Sequence, residues 1–256
     1  MSRRQLGWLV GGGHVVWGSL VVCGCLVVLA GGQAKARGPG GAAGLMVHVP
    51  FDGSFTDARA LGAVRPEAEG NPKFVDGVKG KAAIPQSGHG HIGRLHVSRL
   101  SKLALLGRTP AAGTIMLWYR QMPADADGSA SNGDSAAVVL LTSDHPLNLS
   151  VGITGAPSRL AAAFDDDAGC THRIEAPLAL AEPELWHHLA LAWDSEKGRI
   201  IAFVQGEQVG ETTGAAFRMP GLPKTFELGA REVALDEFRL YKNRLDLSAL
   251  RAAAGL

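Results

Sequence analysis

The chain has 256 residues, 46% of them hydrophobic, with 25 Lys and Arg against 24 Asp and Glu. Four of the basic residues (Arg3, Arg4, Lys35 and Arg37) and none of the acidic ones precede position 38. The rest therefore carries 21 basic and 24 acidic residues, a formal −3. A mildly acidic body without a basic cluster lacks the footprint of backbone-driven nucleic-acid binding, which excludes DNA and RNA as partners.

At the N-terminus no residue between Arg4 and Lys35 is charged, and most are Leu, Val, Ala, Gly, Trp or Cys. Met1-Ser2-Arg3-Arg4 supplies a positive flank, and Ala34-Lys35-Ala36 has the small-x-small pattern that signal peptidase cleaves. The stretch also reaches the roughly 20 residues that cross a bilayer. Two expectations therefore stand for residues 1–36: a cleaved signal peptide, or a retained hydrophobic anchor helix that attaches the protein to a membrane. In both the remainder is extracytoplasmic, either secreted or membrane-anchored. Residues 37–44, rich in Gly and Ala, read as a linker. Residues 45–250 read as one all-β domain, and 251–256 as a tail expected to fray.

Strand-like runs then recur between Gly, Pro, Asp and Ser. Val49-Pro50-Phe51-Asp52-Gly53-Ser54 comes first, followed by the stretch Phe74–Ala82 and by Gly113-Thr114-Ile115-Met116-Leu117-Trp118-Tyr119-Arg120. Between them, 98–106 reads as a short helix or a loop over a sheet edge, and 125–134 as a mobile surface loop. Leu147–Ile153 alternates large with small or polar residues, the mark of a half-wet strand. In Trp186–Asp194 the residues Leu189, Leu191 and Trp193 alternate, so they face inward. Asp194–Gly198 is a polar turn, Ile200–Val204 the returning strand, and Gln205-Gly206 the next reversal. Phe226–Ala230 and Leu235-Asp236-Glu237-Phe238-Arg239-Leu240-Tyr241 complete the series.

In this order the segments resemble the laminin G-like jelly-roll domain of the concanavalin A-like lectin/glucanase superfamily. Gln205-Gly206 stands where members commonly carry Asp-Gly. The resemblance implies a two-sheet antiparallel jelly-roll sandwich with its terminal strands side by side. It also implies a structural calcium ion (Ca2+) held by carboxylates of the first and last strands, here Asp52 and Asp236. The bland alternative is that both carboxylates only cap turns or accept backbone N–H bonds.

The other candidates are weaker. Catalytic members of the superfamily place alternate carboxylates on one strand face, whereas Asp236 and Glu237 are neighbours and should point to opposite faces, Asp236 with Phe238 and Leu240. Asp165-Asp166-Asp167 reads as a solvated turn rather than a cation loop. His89, His91 and His96 have a loose metal spacing. His188 is expected to be packed and hydrogen-bonded. Of Trp118 and Tyr119, adjacent on a strand, one should be accessible. Cys170 is the single cysteine beyond the N-terminal segment, so that part forms no internal disulfide. The chain is expected to act without catalysis as a binding or adhesion module at the cell envelope, recognising a glycan or an envelope protein. The alternatives are a divergent glycan hydrolase or lyase, needing two facing carboxylates, and a structural envelope protein packed on a partner chain.

Overall fold

The computed structural model describes residues 44–55, 59–60, 65–68, 71–85, 91–96, 111–122, 138–143, 150–154, 158–178, 184–218, 225–229 and 233–256. The chain divides into two units, Met1–Arg37 and Gly38–Leu256. The first unit, and with it the signal-or-anchor expectation, lies outside the described residues, as do 98–106, 125–134 and His89. Among the described residues no helix is long and apolar enough to cross a membrane.

The second unit is a sandwich of two antiparallel sheets. Its nine-stranded sheet takes β1 (Leu45–Val49), β2 (Arg59–Ala60), β4 (Lys73–Asp76), β5 (Lys81–Ile84), β7 (Ala112–Gln121), β12 (His187–Asp194), β13 (Arg199–Val204), β14 (Glu207–Thr213) and β16 (Val233–Tyr241). Their order is β14-β13-β12-β7-β16-β1-β2, with the β4–β5 hairpin also on β16. The seven-stranded sheet takes β3 (Arg65–Ala68), β6 (Gly93–His96), β8 (Val138–Ser143), β9 (Ser150–Thr154), β10 (Arg159–Asp165), β11 (Thr171–Pro177) and β15 (Thr225–Leu228). It runs β11-β10-β9-β8-β15-β6-β3. The first and last strands pair, Val49 opposite Phe238 and Val47 opposite Leu240, as a jelly roll requires.

Alternation builds the core. Leu189, Leu191 and Trp193 of β12 meet Leu160, Ala162 and Phe164 of β10 in one buried cluster between the sheets. The other face of the nine-stranded sheet is not left wet: Met116, Ala190, Ala192, Ile201, Phe203 and Tyr241 pack with Leu245 and Leu250. Leu250 belongs to helix α1 (Leu247–Ala254), so the fraying expected past Leu250 does not occur. Asp246 caps its N-terminus by accepting the Ala249 N–H at 2.8 Å, and Gly255, at φ 80°, closes its C-terminus. Arg239 reaches across from β16 to donate to the Ala253 carbonyl.

The β13–β14 reversal settles its turn type. Gln205 (φ 50°) and Gly206 (φ 69°) are both left-handed, the signature of a type I′ hairpin. Left-handed backbone costs a non-glycine residue about 1 kcal/mol. Gln205 offsets that with two bonds at the start of β12: its amide accepts the His188 N–H at 3.1 Å and donates to the carbonyl of Trp186, the residue before the strand, at 3.2 Å. An Asp, shorter and without an N–H, could not make both bonds.

Candidate functional site

The junction of first and last strands is organised by a bulge in β16. Asp236 pairs with Trp118, but Arg239 pairs with Met116, so Glu237 and Phe238 together oppose Leu117. Glu237 takes up the extra residue at φ 50°. In consequence Val233, Leu235, Phe238 and Leu240 all face the inter-sheet core. Asp236 therefore does not share a face with Phe238. Asp236 and Glu237 lie together on the outer face, rather than on opposite faces as strict alternation predicts.

Both are buried, at 0% and 5% exposure. Asp236 Oδ2 accepts the Lys79 N–H at 3.0 Å, while its Oδ1 has no partner. Burial, with a smaller contribution from the charge of Glu237, pushes the Asp236 carboxyl up to about 6. Burial also works against the charge of Glu237, but the bond to His48, 3.1 Å away, and the Arg239 guanidinium outweigh it and hold that carboxyl below its usual range. His188 is packed edge-on against Trp118, with ring centroids 5.2 Å apart. Its ring nitrogens have no hydrogen-bond partner, contrary to expectation. Burial and then the positive charge of Arg239 push the imidazole down to about 3, so it is neutral at physiological pH.

Asp52 joins the same junction from the bend that follows β1, not from the first strand itself. Its Oδ1 accepts the Lys81 N–H at 3.0 Å, two residues beyond the N–H held by Asp236, in a turn closed by Gly77 N–H to Gly80 O at 3.1 Å. A Cβ at Gly80 would overlap Asp52 Oδ1, and one at Gly77 would crowd Asp236 Oδ2, so the two glycines let the carboxylates reach the backbone. The structure thus brings Asp52 and Asp236 onto one turn. Among the described residues no group of three or more His, Cys, Asp or Glu side chains is arranged to hold a metal ion.

The remaining candidates separate. Asp166 closes the β10–β11 hairpin, its Oδ1 accepting the N–H groups of Ala168 and Cys170 at 2.9 and 2.8 Å. Its Oδ2 lies 2.9 Å from His172 Nε2. His96 pairs with Glu67 at 2.8 Å. Trp118 and Tyr119 are both buried, at 8% and 1%, so neither is the accessible aromatic expected. Trp186 is half-buried instead, with the Arg120 guanidinium 4.8 Å over its ring. Cys170 is exposed and free.

A second constellation, absent from the sequence reading, lies on the outer face of the seven-stranded sheet. Pairing places Arg173, Ala163, Ser150, Thr142, Glu227, Arg94 and Glu67 in one transverse row, one residue from each strand. Glu227 accepts from Arg94 Nε at 2.9 Å and from Thr142 Oγ1 at 3.4 Å, which ties the middle of the row to the sheet. Beside it Arg159 pairs with Glu175 at 3.4 Å. The outward parity of polar residues in β11 (His172 and Ile174 in, Arg173 and Glu175 out) is a signal that could have found this face. The row itself needs the register between strands distant in sequence.

Many solved structures resemble this one, among them these three. The binding domain of Paraclostridial Mosquitocidal Protein 1 is 13% identical (TM-score 0.56, 80% of this chain and 50% of that one). The binding domain of botulinum neurotoxin DC, solved with SialylT, is 9% identical (TM-score 0.57, 81% and 50%). The chain shares with them an all-β sandwich fold. Domain 4 of AbnA, an extracellular arabinanase of family GH43 from Geobacillus stearothermophilus solved with arabinotriose, is 16% identical (TM-score 0.53), covering 82% of this chain and 98% of that domain. The chain spans about half the length of the toxin binding domains it matches. No family model and no curated protein matches it.

Proposed function

We propose that the domain is a non-catalytic glycan-binding module of the laminin G-like type, displayed outside the cytoplasm by its N-terminal segment. The observation that carries this reading is the transverse polar row on the seven-stranded sheet. Sugar hydroxyls both donate and accept hydrogen bonds, and the row offers donors and acceptors together on an exposed face. A peptide added as a strand would need a sheet edge, and the row crosses the middle of a sheet. Nucleic acid would need a basic excess, and the row sets Arg94 and Arg173 against Glu67 and Glu227. Two of the similar structures were solved with SialylT and with arabinotriose, which favours a saccharide. Catalysis is disfavoured at the junction, where Asp236 and Glu237 are buried against a turn and against His48 and Arg239.

The test is a glycan array with the full chain in detergent, followed by calorimetry on the glycans retained. The expected result is binding that weakens at least ten-fold in Arg94→Ala and is unchanged in Asp236→Asn. An array with no retained glycan would discard the reading.

We also propose that Asp52 and Asp236 share a structural calcium ion. Two carboxylates on one turn, one with a buried and unpartnered oxygen, are a hard-oxygen donor set of the kind calcium takes. The ion would neutralise the buried charge of Asp236 and lock the turn to both terminal strands.

A further inference from the structure

We infer that the row on the seven-stranded sheet takes an internal stretch of a linear polysaccharide lying across the strands, with about one sugar unit to each strand. This rests on the glycan reading above and adds the shape and length of the ligand. Adjacent strands are about 4.8 Å apart, so six steps make the row about 29 Å long. It begins at Arg173 on β11 and ends at Glu67 on β3, the two outermost strands of the sheet, and both residues are exposed. A chain lying along it therefore runs off both ends, which suits internal units and not a terminal sugar.

Relief and chemistry agree with that placement. At the centre stand Ala163, Ser150 and Thr142, short side chains that let a ring approach the sheet. Toward β6 the longer side chains are held down, because Arg94 and Thr142 both bond Glu227. Groups already fixed by one another lose little freedom when a ligand arrives. Hydroxyl groups of a sugar both donate and accept, and so match a row that offers guanidinium, hydroxyl and carboxylate groups around the small Ala163. No large aromatic anchor stands in the row, so affinity accumulates in small equal steps of about one net hydrogen bond each.

The experiment is calorimetry of the full chain in detergent with linear arabino-, cello- and manno-oligosaccharides of two to eight units. In the series that binds, affinity is expected to rise about five-fold for each added unit and to level off near seven. Thr142→Phe puts a bulky ring at the centre of the row and leaves three strands on each side. It should move the plateau to about three units while leaving the melting temperature within a few degrees. If that variant fails to fold, Thr142→Val should lower affinity several-fold without moving the plateau. Equal affinity for two and eight units would overturn the row as the site while leaving glycan binding intact. Failure of every series to bind would remove both.

Discussion

Asp52 and Asp236 hold the same turn from opposite ends of the chain, Asp236 through the Lys79 N–H and Asp52 through the Lys81 N–H, each at 3.0 Å. The two carboxylates fasten the β4–β5 hairpin to the place where the first and last strands meet. Asp52 is exposed and Asp236 is fully buried, so the two bonds respond differently to pH and to metal.

The first prediction concerns that buried charge. In the unfolded chain an Asp titrates near 3.9, whereas Asp236 in the fold is pushed up to about 6. The folded state thus binds the proton more tightly. Its contribution to stability is fully present below pH 4 and is lost as pH rises through 6. Asp236→Asn should remove that loss, so urea melts with EGTA at pH 4.5 and 7.5 should show a smaller stability difference in the variant than in the parent. Calcium should restore the parent at pH 7.5 and leave the variant unchanged, since an ion bound only by the native state stabilises it by about 2.7 kcal/mol at a hundredfold excess over Kd. A parent that melts identically with EGTA and with calcium would leave only the hydrogen-bonded form of the junction.

A second prediction separates two glycines with similar backbone. Gly53 (φ 82°) has open space where a Cβ would go, whereas at Gly80 (φ 68°) a Cβ would overlap the Asp52 carboxylate. Gly53→Ala should cost only the left-handed strain, about 1 kcal/mol. Gly80→Ala should cost that and the Asp52–Lys81 bond as well, about 2 to 3 kcal/mol in all. Chemical denaturation of the two variants side by side decides it, and equal losses would show that the turn does not depend on Asp52.

The third concerns helix α1. Asp246→Ala removes the cap and should cost about 1 kcal/mol, while Leu250→Ala removes a fully buried side chain and should cost about 2 to 5 kcal/mol. Removing residues 247–256 altogether would uncover Met116, Ile201, Phe203 and Tyr241. A truncated chain that stays monomeric and soluble in light scattering would contradict the role given to the helix.

Much of this architecture was legible because the period of two in Leu189, Leu191 and Trp193 survives folding unchanged. The pairing of β1 with β16 followed from the jelly-roll resemblance and is observed. The side on which Asp236 lies was not legible, because one left-handed residue, Glu237, inserts itself into the strand and resets the alternation. Nothing in Leu-Asp-Glu-Phe-Arg-Leu-Tyr marks a non-glycine residue for that backbone. It is held there by His48 and Arg239 on a face that only the fold assembles. The row on the seven-stranded sheet was hidden for a similar reason: Arg94, Thr142, Ser150 and Glu227 are each unremarkable surface residues until the register lines them up. The Asp246 cap was missed because Leu247–Leu250 alone is too short to show a helical period.

The bulge yields the last prediction, which inverts an ordinary rule. Within a strand, Ala is normally more stable than Gly by about 0.5 to 1 kcal/mol, since glycine loses more freedom on folding. Position 237 has φ 50°, where Ala carries the left-handed penalty of about 1 kcal/mol and Gly does not. Glu237→Ala and Glu237→Gly both lose the contacts to His48 and Arg239, so the two variants differ in backbone alone. Glycine's greater loss of freedom on folding offsets part of that penalty, so Glu237→Gly should be the more stable by up to about 0.5 kcal/mol in urea melts at one pH. Both should fall well below the parent, because Arg239, which also holds the Ala253 carbonyl of α1, loses its buried counter-charge. Greater stability of the alanine variant would mean that residue 237 adopts ordinary strand backbone, and the shared face of Asp236 and Glu237 would go with it.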